Sequence, residues 1–305
     1  MDASETLVRR TPDESAELRE RLRRMWSGVA DGWAANADFV DERGARMTAR
    51  MLDAVRPRAG ERVLDLACGP GGAGIAAAPI VRPGEVVVAD IAPEMTAIAA
   101  RRAAVLGLEN VTPRALDLEA IAEPDASYDV VLCREGLMLV PEPERAAGEI
   151  RRVLRRGGRL AATVWGPKHR NPWLAVVFEV VSDELGAPVP PPGIPHPFSL
   201  EDAAAFAAVL SSAGLADVEV EEVEVPYRAS SVEEWWTRTA TLAGPLAQRL
   251  RALPAAATAA LLERAREAVR PYETREGLEL PGIALIGTAR QIGRASCRER
   301  VCNDV

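Results

Sequence analysis

The sequence predicts an α/β protein built on a doubly wound, mostly parallel sheet. Short apolar runs alternate with helix-like stretches from Arg62 onward, a glycine-rich loop follows the first run, and an aspartate ends the second. Such alternation is typical of parallel strands joined by crossover helices. The first five apolar runs, each predicted to be a strand, are 62–67, 85–90, 111–116, 128–133 and 158–165.

Helices are predicted before and between these strands. Apolar residues recur at intervals of three and four between 13 and 57, which indicates helices that precede the sheet. Pro93 and Pro143 are each followed by glutamate, a typical helix start. We expect the second of these helices to end at Gly157–Gly158.

The regular alternation ends after Trp165. Six prolines between 186 and 198 exclude a helix or a central strand there and indicate a connector. A helix is expected from Ser199, with Ser199 as its N-cap. The other predicted elements are a helix at 171–185, a half-exposed strand at 217–227, helical sequence at 231–271 and a final strand at 282–290.

Composition limits the class of partner. The chain has 305 residues, 48% of them apolar, and a net charge of -8, which gives no sign of a nucleic-acid partner. Its apolar runs are shorter than the ~18 residues of a membrane span. Two histidines and four cysteines show no metal-ligand spacing. We expect a cytoplasmic monomer or homodimer that acts on a small molecule, without metal, membrane or nucleic acid.

The glycine-rich loop raises the question of its ligand. Residues 69–74 read GPGGAG, the G-x-G-x-x-G pattern of dinucleotide-binding loops. Asp90, 21 residues after Gly69, suits the two hydroxyls of a ribose, whether of NAD or of S-adenosylmethionine. Asp65 lies inside the first strand, where its carboxylate would repel a pyrophosphate and favour a ligand with an ammonium group. On this interpretation Asp65 is the most informative residue of the loop region and Gly74 the least.

Four segments together resemble a known family. VLDLACGPG (63–71), VVVADIAPEM (86–95), ALDLEAI (115–121) and the run from Tyr128 to Trp165 are similar, in order and spacing, to the motifs of class I S-adenosylmethionine-dependent methyltransferases, in the subgroup related to the ubiquinone and menaquinone C-methyltransferases. The resemblance implies a Rossmann-like sheet of seven strands. Its last strand, 282–290, would run antiparallel beside 217–227.

The resemblance also implies a cofactor site. Asp65, Gly69 and Gly71 would approach the methionine portion of S-adenosylmethionine, and Asp90 its ribose. The adenine would lie on Ile91 and Met95, with Asp117 and Leu118 at its amino edge. Arg134 would lie where methyl group and acceptor meet. Ala67 departs from the family pattern, which commonly has glycine there, and its methyl group would crowd the cofactor.

The same resemblance divides the chain into segments. The cofactor-binding core would be 58–166, preceded by N-terminal lid helices at 1–57. A lid insertion with the proline-rich connector would follow at 167–199, and the rest of the sheet at 200–290 with a helical insertion at 231–271. Residues 291–305 lack either periodicity, and we expect them to be a non-native tail.

The acceptor side is less specified. Candidates for a catalytic role are Arg134, Glu135 and His196, with His169 as a further possible base. All six tryptophans lie in the accessory segments or at their edge, which favours an apolar or aromatic acceptor. The rival hypotheses are an NAD(P)-dependent oxidoreductase and a non-catalytic protein that binds S-adenosylmethionine.

Overall fold

A seven-stranded sheet lies at the centre of the computed structural model, which describes residues 11–251 and 253–293. The strands, in chain order, are β1 Val63–Leu66, β2 Val86–Asp90, β3 Val111–Ala115, β4 Tyr128–Arg134, β5 Leu154–Trp165, β6 Ala216–Glu224, β7 Tyr227–Ala229, β8 Glu273–Thr274, β9 Gly277–Leu280 and β10 Ile283–Arg290. The order in the large sheet is β3-β2-β1-β4-β5-β10-β6, and β10 is antiparallel to both of its neighbours. The predicted fold, including the antiparallel strand beside β6, is confirmed.

Several of the helices that surround the sheet begin at a proline or at a side-chain cap. They are α1 Pro12–Ser27, α2 Ala30–Ala35, α3 Ala37–Val55, α4 Gly72–Val81, α5 Pro93–Val105, α6 Pro143–Val153, α7 Pro172–Leu185, α8 Ala203–Ser212, α9 Val232–Leu242, α10 Pro245–Arg251 and α11 Ala255–Val269. Proline occupies the first turn of α1, α5, α6 and α7, where its missing N–H costs nothing. At α1, Thr11 and Glu14 form a capping box.

Burial follows the position of each strand in the sheet. Every residue of β1 and β2 is buried, as expected for parallel strands covered on both faces. The edge strand β6 alternates between half-buried and exposed residues over most of its length. The order of strands reverses between β1 and β4, so the carboxyl ends of these two strands flank the crevice where doubly wound sheets bind ligands.

Two predicted helix boundaries are wrong. The helix that begins at Pro143 ends at Val153 rather than at Gly157, because Leu154 already pairs with Tyr128 in the sheet. Strand pairing thus overrides the good helix propensity of the arginines that follow. Ser199 is not an N-cap: Asp202 caps α8 by accepting from the Ala205 N–H, and the Ser199 hydroxyl accepts from the His196 N–H.

The predicted helical stretch at 231–271 consists of three helices. Ala243 and Gly244 separate α9 from α10, and Pro254 precedes α11. Both interruptions follow from residues that end or start helices. A second, three-stranded sheet of order β7-β9-β8 was not predicted. Its strands have two to four residues each, too few to show an alternating pattern.

Residues 294–305 lie outside the described residues. They include most of the segment expected to be a non-native tail, with Cys297 and Cys302. Among the residues described, no helix combines the length and the apolar character needed to cross a bilayer. Within the same ranges, no group of three or more histidine, cysteine or acidic side chains is arranged to hold a metal ion.

Candidate active site

A deep cleft opens at the carboxyl ends of β1 and β4. It encloses about 1650 Å³ with its open mouth and the adjoining solvent included. One half is lined by the glycine loop, the end of β2 and the segment after β3. The other half is lined by α3, the end of β5, α7 and β7. The cleft therefore has two halves with different linings.

The glycine loop turns sharply between β1 and α4. Ala67, Gly69 and Gly71 all have positive φ, of 50°, 51° and 91°. Alanine is strained by roughly 1–2 kcal/mol in this region, where glycine is favoured. The Ala67 methyl group packs beside Gly136, where an added Cβ would come within 2.6 Å of it. Gly71 approaches α5 so closely that a Cβ would lie 2.7 Å from the Cβ of Ala99.

Two carboxylates lie at the N-terminus of α4, where the first backbone N–H groups of a helix lack helical partners. Asp65 is 1% exposed, and its Oδ2 accepts from the Gly74 N–H at 2.7 Å. From the other side, Asp41 Oδ1 occupies the place that a Cβ on Gly72 would take. The positive end of the α4 dipole is therefore already compensated by protein side chains.

Asp65 is a buried carboxylate with a raised pKa. Its Oδ1 is buried and has no hydrogen-bond partner among the described residues. Burial raises its pKa to about 7, although the bond from Gly74 and the charge of Arg134 oppose the shift. Asp65 does not line the cleft. Its carboxylate lies beneath the loop and fixes the first turn of α4.

We expect Gly74→Ala to destabilise the fold by about 1–3 kcal/mol, the usual cost of overpacking. A Cβ at Gly74 would come within 2.7 Å of Val88 Cγ1 and 2.8 Å of Asp65 Oδ2. Urea unfolding measures the effect. Gly148→Ala in α6 is the matched control, because nothing lies within 4 Å of its added Cβ; it should gain up to about 1 kcal/mol. A Gly74→Ala protein as stable as wild type would contradict this packing. Gly74 is thus more informative than the sequence indicated.

Asp90 ends β2 at the edge of the cleft. Its Oδ2 accepts from the Gly69 N–H at 3.0 Å and its Oδ1 from the Ala92 N–H at 2.9 Å. An ionised carboxylate has about four lone-pair positions, so Asp90 keeps acceptor capacity for a ligand. Burial raises the pKa of Asp90 to about 6, and the bonds from Ala92 and Gly69 oppose the shift.

Asp117 lies on the same side of the cleft, and both of its carboxylate oxygens already have partners within the protein. Its Oδ1 accepts from the Glu119 N–H at 2.9 Å, and its Oδ2 pairs with Arg19 of α1 at 3.2 Å. Glu119 is also buried against the cleft, and burial raises its pKa to about 7. The N-terminal helix α1 is therefore tied directly to this half of the cleft.

Arg134 connects the end of β4 to α3. Its Nη1 donates to Thr48 Oγ1 at 2.9 Å and its Nη2 to Asp41 Oδ1 at 3.2 Å. Asp41 also accepts from Arg102 at 2.6 Å, and Arg102 donates to the Pro70 carbonyl of the glycine loop at 2.8 Å. This network fixes α3 against the loop and β4.

The predicted cofactor residues converge on the cleft, except Asp65 and Gly71. Those that line it are Ala67, Gly69, Asp90, Ile91, Met95, Asp117, Leu118 and Arg134. Of the catalytic candidates, Arg134 and Glu135 line the cleft and His196 does not. The His196 Nδ1 accepts from the Phe198 N–H at 3.1 Å, within the proline-rich connector. His169 does not line the cleft either.

Four of the six tryptophans line the cleft: Trp26, Trp33, Trp165 and Trp173. Trp33 of α2 lies over Gly69, and its Nε1 is buried without a partner among the described residues. Trp235 is fully buried behind the cleft and donates to the Trp173 carbonyl at 2.8 Å. Of these side chains, Trp165 and Trp173 lie on the half of the cleft opposite the glycine loop, and Trp33 lies on the loop itself.

Sequence reasoning missed three residues of this site. Asp41 and Arg43 belong to a helix whose charged residues resemble an ordinary solvated face, and Tyr227 ends a strand predicted to lie at the sheet edge. The spacing of Asp38, Asp41 and Arg43 on the N-terminal half of α3 is the one sequence signal for their role. Nothing in the sequence places that half of α3 over the glycine loop.

Comparison with known proteins identifies the family. A family model described as a methyltransferase domain matches residues 57–179. The nocamycin O-methyltransferase of Saccharothrix syringae is 35% identical over 197 residues, a match that covers 60% of this chain and 69% of that protein. The chain belongs to the S-adenosylmethionine-dependent methyltransferases. The predicted relation to the menaquinone enzymes is confirmed by the demethylmenaquinone methyltransferase of Thermus thermophilus, 36% identical over 146 residues, 46% of this chain and 65% of that one.

The methyltransferase fold extends beyond the matched segment. The YcgJ protein of Bacillus subtilis superposes with a TM-score of 0.57 at 22% identity, over 82% of this chain and all of that one. The likeness at this identity concerns the fold alone. The chain spans 39% of the length of the mycobacterial proteins among its relatives. The methyltransferases of this family use S-adenosylmethionine as their cofactor.

Proposed function

We propose that this methyltransferase transfers a methyl group from S-adenosylmethionine to a small, apolar or aromatic acceptor. The observation that carries the choice of cofactor is the N-terminus of α4. A dinucleotide places its pyrophosphate at the corresponding helix N-terminus. Here Asp65 and Asp41 already lie there. A pyrophosphate would be repelled by both carboxylates, which argues against an NAD(P)-dependent oxidoreductase.

The side chains on the cofactor half suit S-adenosylmethionine. We propose that Asp90 accepts from both ribose hydroxyls through its remaining acceptor capacity. The apolar side chains of Ile91, Met95 and Leu118 would pack on the adenine. Asp117 would contact the amino edge of the adenine through the oxygen that now pairs with Arg19. The alternative is that Asp117 keeps this ion pair and holds α1 above the adenine. Ala67 and Gly69 would contact the methionine portion with their backbone.

Asp65 and Gly71 support this site from behind. Asp65 holds the first turn of α4 through the Gly74 N–H, and Gly71 lets the loop approach α5. Arg134 would act in the same way, since both of its described hydrogen bonds fix α3 against β4. We therefore assign these three residues to positioning rather than to direct contact with the reacting atoms.

Methyl transfer from a sulfonium requires alignment more than chemical apparatus. Proximity and orientation supply about 7–11 kcal/mol of the barrier in well-aligned reactions. The aromatic side chains on the acceptor half would hold a flat, apolar acceptor and exclude water. The names of the relatives agree: one is a demethylmenaquinone methyltransferase and another a nocamycin O-methyltransferase.

Isothermal titration calorimetry tests the cofactor. We expect S-adenosylhomocysteine to bind with micromolar affinity, and NAD and NADP to bind at least about a hundredfold more weakly, a difference of ~2.8 kcal/mol. Equal or tighter binding of either nicotinamide nucleotide would overturn the proposal. Transfer of labelled methyl groups into a metabolite extract then tests catalysis. Binding without transfer to any component would instead indicate a non-catalytic protein.

A further inference from the structure

An arginine lies at the acceptor end of the cleft inside a box of aromatic rings. The guanidinium carbon of Arg43 is 3.8 Å from the ring centroid of Trp173, and 4.8 Å from those of Trp165 and Tyr227. Trp173 and Tyr227 are themselves stacked, with centroids 5.8 Å apart. Cation–π contacts of this kind hold a guanidinium in one orientation and stabilise its charge. Arg43 and the three rings all line the cleft.

Arg43 has few polar partners. Among the described residues, its one hydrogen bond is a long one, from Nη2 to the Val225 carbonyl at 3.4 Å, and its Nε is buried without a partner. A guanidinium has five N–H donors. Neighbouring Arg134 and Arg102, in contrast, are both paired with Asp41. Burial lowers the pKa of Arg43 to about 10, so it remains a cation at neutral pH.

Glu135 is the carboxylate nearest in sequence to the end of β4, and it lines the same cleft. Its backbone is in the left-handed region, with φ of 62°, and its N–H donates to the backbone and side-chain oxygens of Thr163. Its Oε1 is buried without a hydrogen-bond partner among the described residues. Among the residues that the structure describes, Glu135 and Arg43 form no ion pair within 4.0 Å. Both groups thus border the cleft and act on each other's pKa electrostatically without forming an ion pair.

We propose that the acceptor is a hydroxyarene or enol that is methylated on its acidic oxygen, with Arg43 holding the oxygen as an anion and Glu135 accepting its proton. This inference rests on the proposed methyltransferase function and names the acceptor class for the same site. The aromatic box and the apolar side chains around it bind the carbon skeleton. The guanidinium cation attracts an anionic oxygen and repels a protonated amine.

The proposed reaction balances without any further reactant. The O–H proton passes to the Glu135 carboxylate. A lone pair of the resulting oxyanion forms the new carbon–oxygen bond to the methyl group, and the carbon–sulfur bond breaks with its electron pair going to the sulfonium sulfur. The sulfonium becomes a neutral thioether, and the proton on Glu135 is released to solvent when the product leaves.

The titratable and charged groups around this pair are consistent with their roles. Glu135 faces Arg134 and Arg43, whose charges lower its pKa, whereas burial has the larger effect and raises it. Arg43 faces Glu135 and the Tyr227 hydroxyl, which favour its charged form. A raised pKa makes the ionised form of a carboxylate a stronger base.

The first experiment uses alizarin, 1,2-dihydroxyanthraquinone, whose colour reports ionisation of its hydroxyl groups. With the wild-type protein and S-adenosylhomocysteine, we expect the apparent pKa of bound alizarin to fall by about one unit or more. Arg43→Met should remove this shift and weaken binding at least about tenfold, while Arg43→Lys, which keeps the charge, should retain part of the shift. Arg46→Met is the control, because Arg46 is exposed on the same helix and pairs with Glu224. It should behave as wild type.

Non-ionisable 1,2-dimethoxyanthraquinone is the second probe. The wild type should bind it more weakly than alizarin, whereas Arg43→Met should bind the two probes with equal affinity. In turnover with alizarin as acceptor, Glu135→Gln should lower kcat with little change in KM and abolish the rise of rate with pH on the acidic side. The inference would be overturned if the wild type bound both probes equally or did not bind alizarin. It would also be overturned if alizarin had the same apparent pKa when bound to Arg43→Met as when bound to the wild type. If S-adenosylhomocysteine binds normally in these cases, the proposed function stands. Failure of S-adenosylhomocysteine to bind would overturn both.

Discussion

Replacement of Asp90 by alanine is expected to weaken S-adenosylhomocysteine binding by at least about a hundredfold. The carboxylate would lose two charge-assisted hydrogen bonds to the ribose, each worth about 1.5–3 kcal/mol. It would also release the Gly69 N–H, which Asp90 Oδ2 holds at 3.0 Å in the glycine loop. Calorimetry measures the loss of affinity, and circular dichroism checks that the fold is kept.

Asp129→Ala is a matched control for Asp90→Ala. Asp129 also accepts a hydrogen bond from a backbone N–H, that of Arg62 at 2.8 Å. It lies near the start of β4, however, and so at the amino end of its strand rather than at the carboxyl end, where Asp90 lies. Its loss should cost stability and leave cofactor affinity unchanged. If Asp90→Ala binds S-adenosylhomocysteine as well as the wild type does, the proposed placement of the ribose is wrong.

Asp65→Asn should remove a large part of the pH dependence of folding. Burial raises the pKa of Asp65 from 3.8 to about 7, so the folded state binds this proton more tightly than the unfolded state does. The stability due to this proton is complete below pH 3.8 and is lost as pH rises to about 7. Between pH 4 and pH 8, the free energy of unfolding of Asp65→Asn should therefore rise relative to wild type by on the order of 2–4 kcal/mol.

Urea unfolding at several pH values tests this difference. Asp90 and Glu119 also have raised pKa values and act in the same direction, but both proteins retain them, so their contributions cancel. Val88→Ala is the control, since Val88 packs beside Gly74 and carries no charge. It should lower stability equally at every pH. Parallel pH curves for wild type and Asp65→Asn would show that Asp65 is not protonated more tightly in the folded state.

The features that the sequence predicted well are set by local patterns. The β1 loop, the aspartate that ends β2 and the parallel strands each depend on residues within one short segment. Ends of elements were less predictable where a distant segment decides them. The start of β5 at Leu154 depends on its pairing with Tyr128, which no property of the arginines that follow reveals.

Side-chain direction was the main limit for the site. The sequence correctly placed Asp65 in a buried strand, but only the structure shows that its carboxylate holds the Gly74 N–H rather than lining the cleft. Arg43 was missed for a related reason. Its partners Trp165, Trp173 and Tyr227 are more than a hundred residues away in the chain, so its surroundings exist only after folding.

The aromatic box around Arg43 also bears on how the acceptor specificity of such an enzyme evolves. Arg43 and Tyr227 of this box lie outside residues 57–179, the stretch that matches the methyltransferase domain, whereas Trp165 and Trp173 lie inside it together with the glycine loop and Asp90. Substitutions in the box reshape one end of the cleft and leave the residues at the other end untouched. New acceptor preferences can therefore arise, by natural variation or in the laboratory, on an unaltered methyl-donor site.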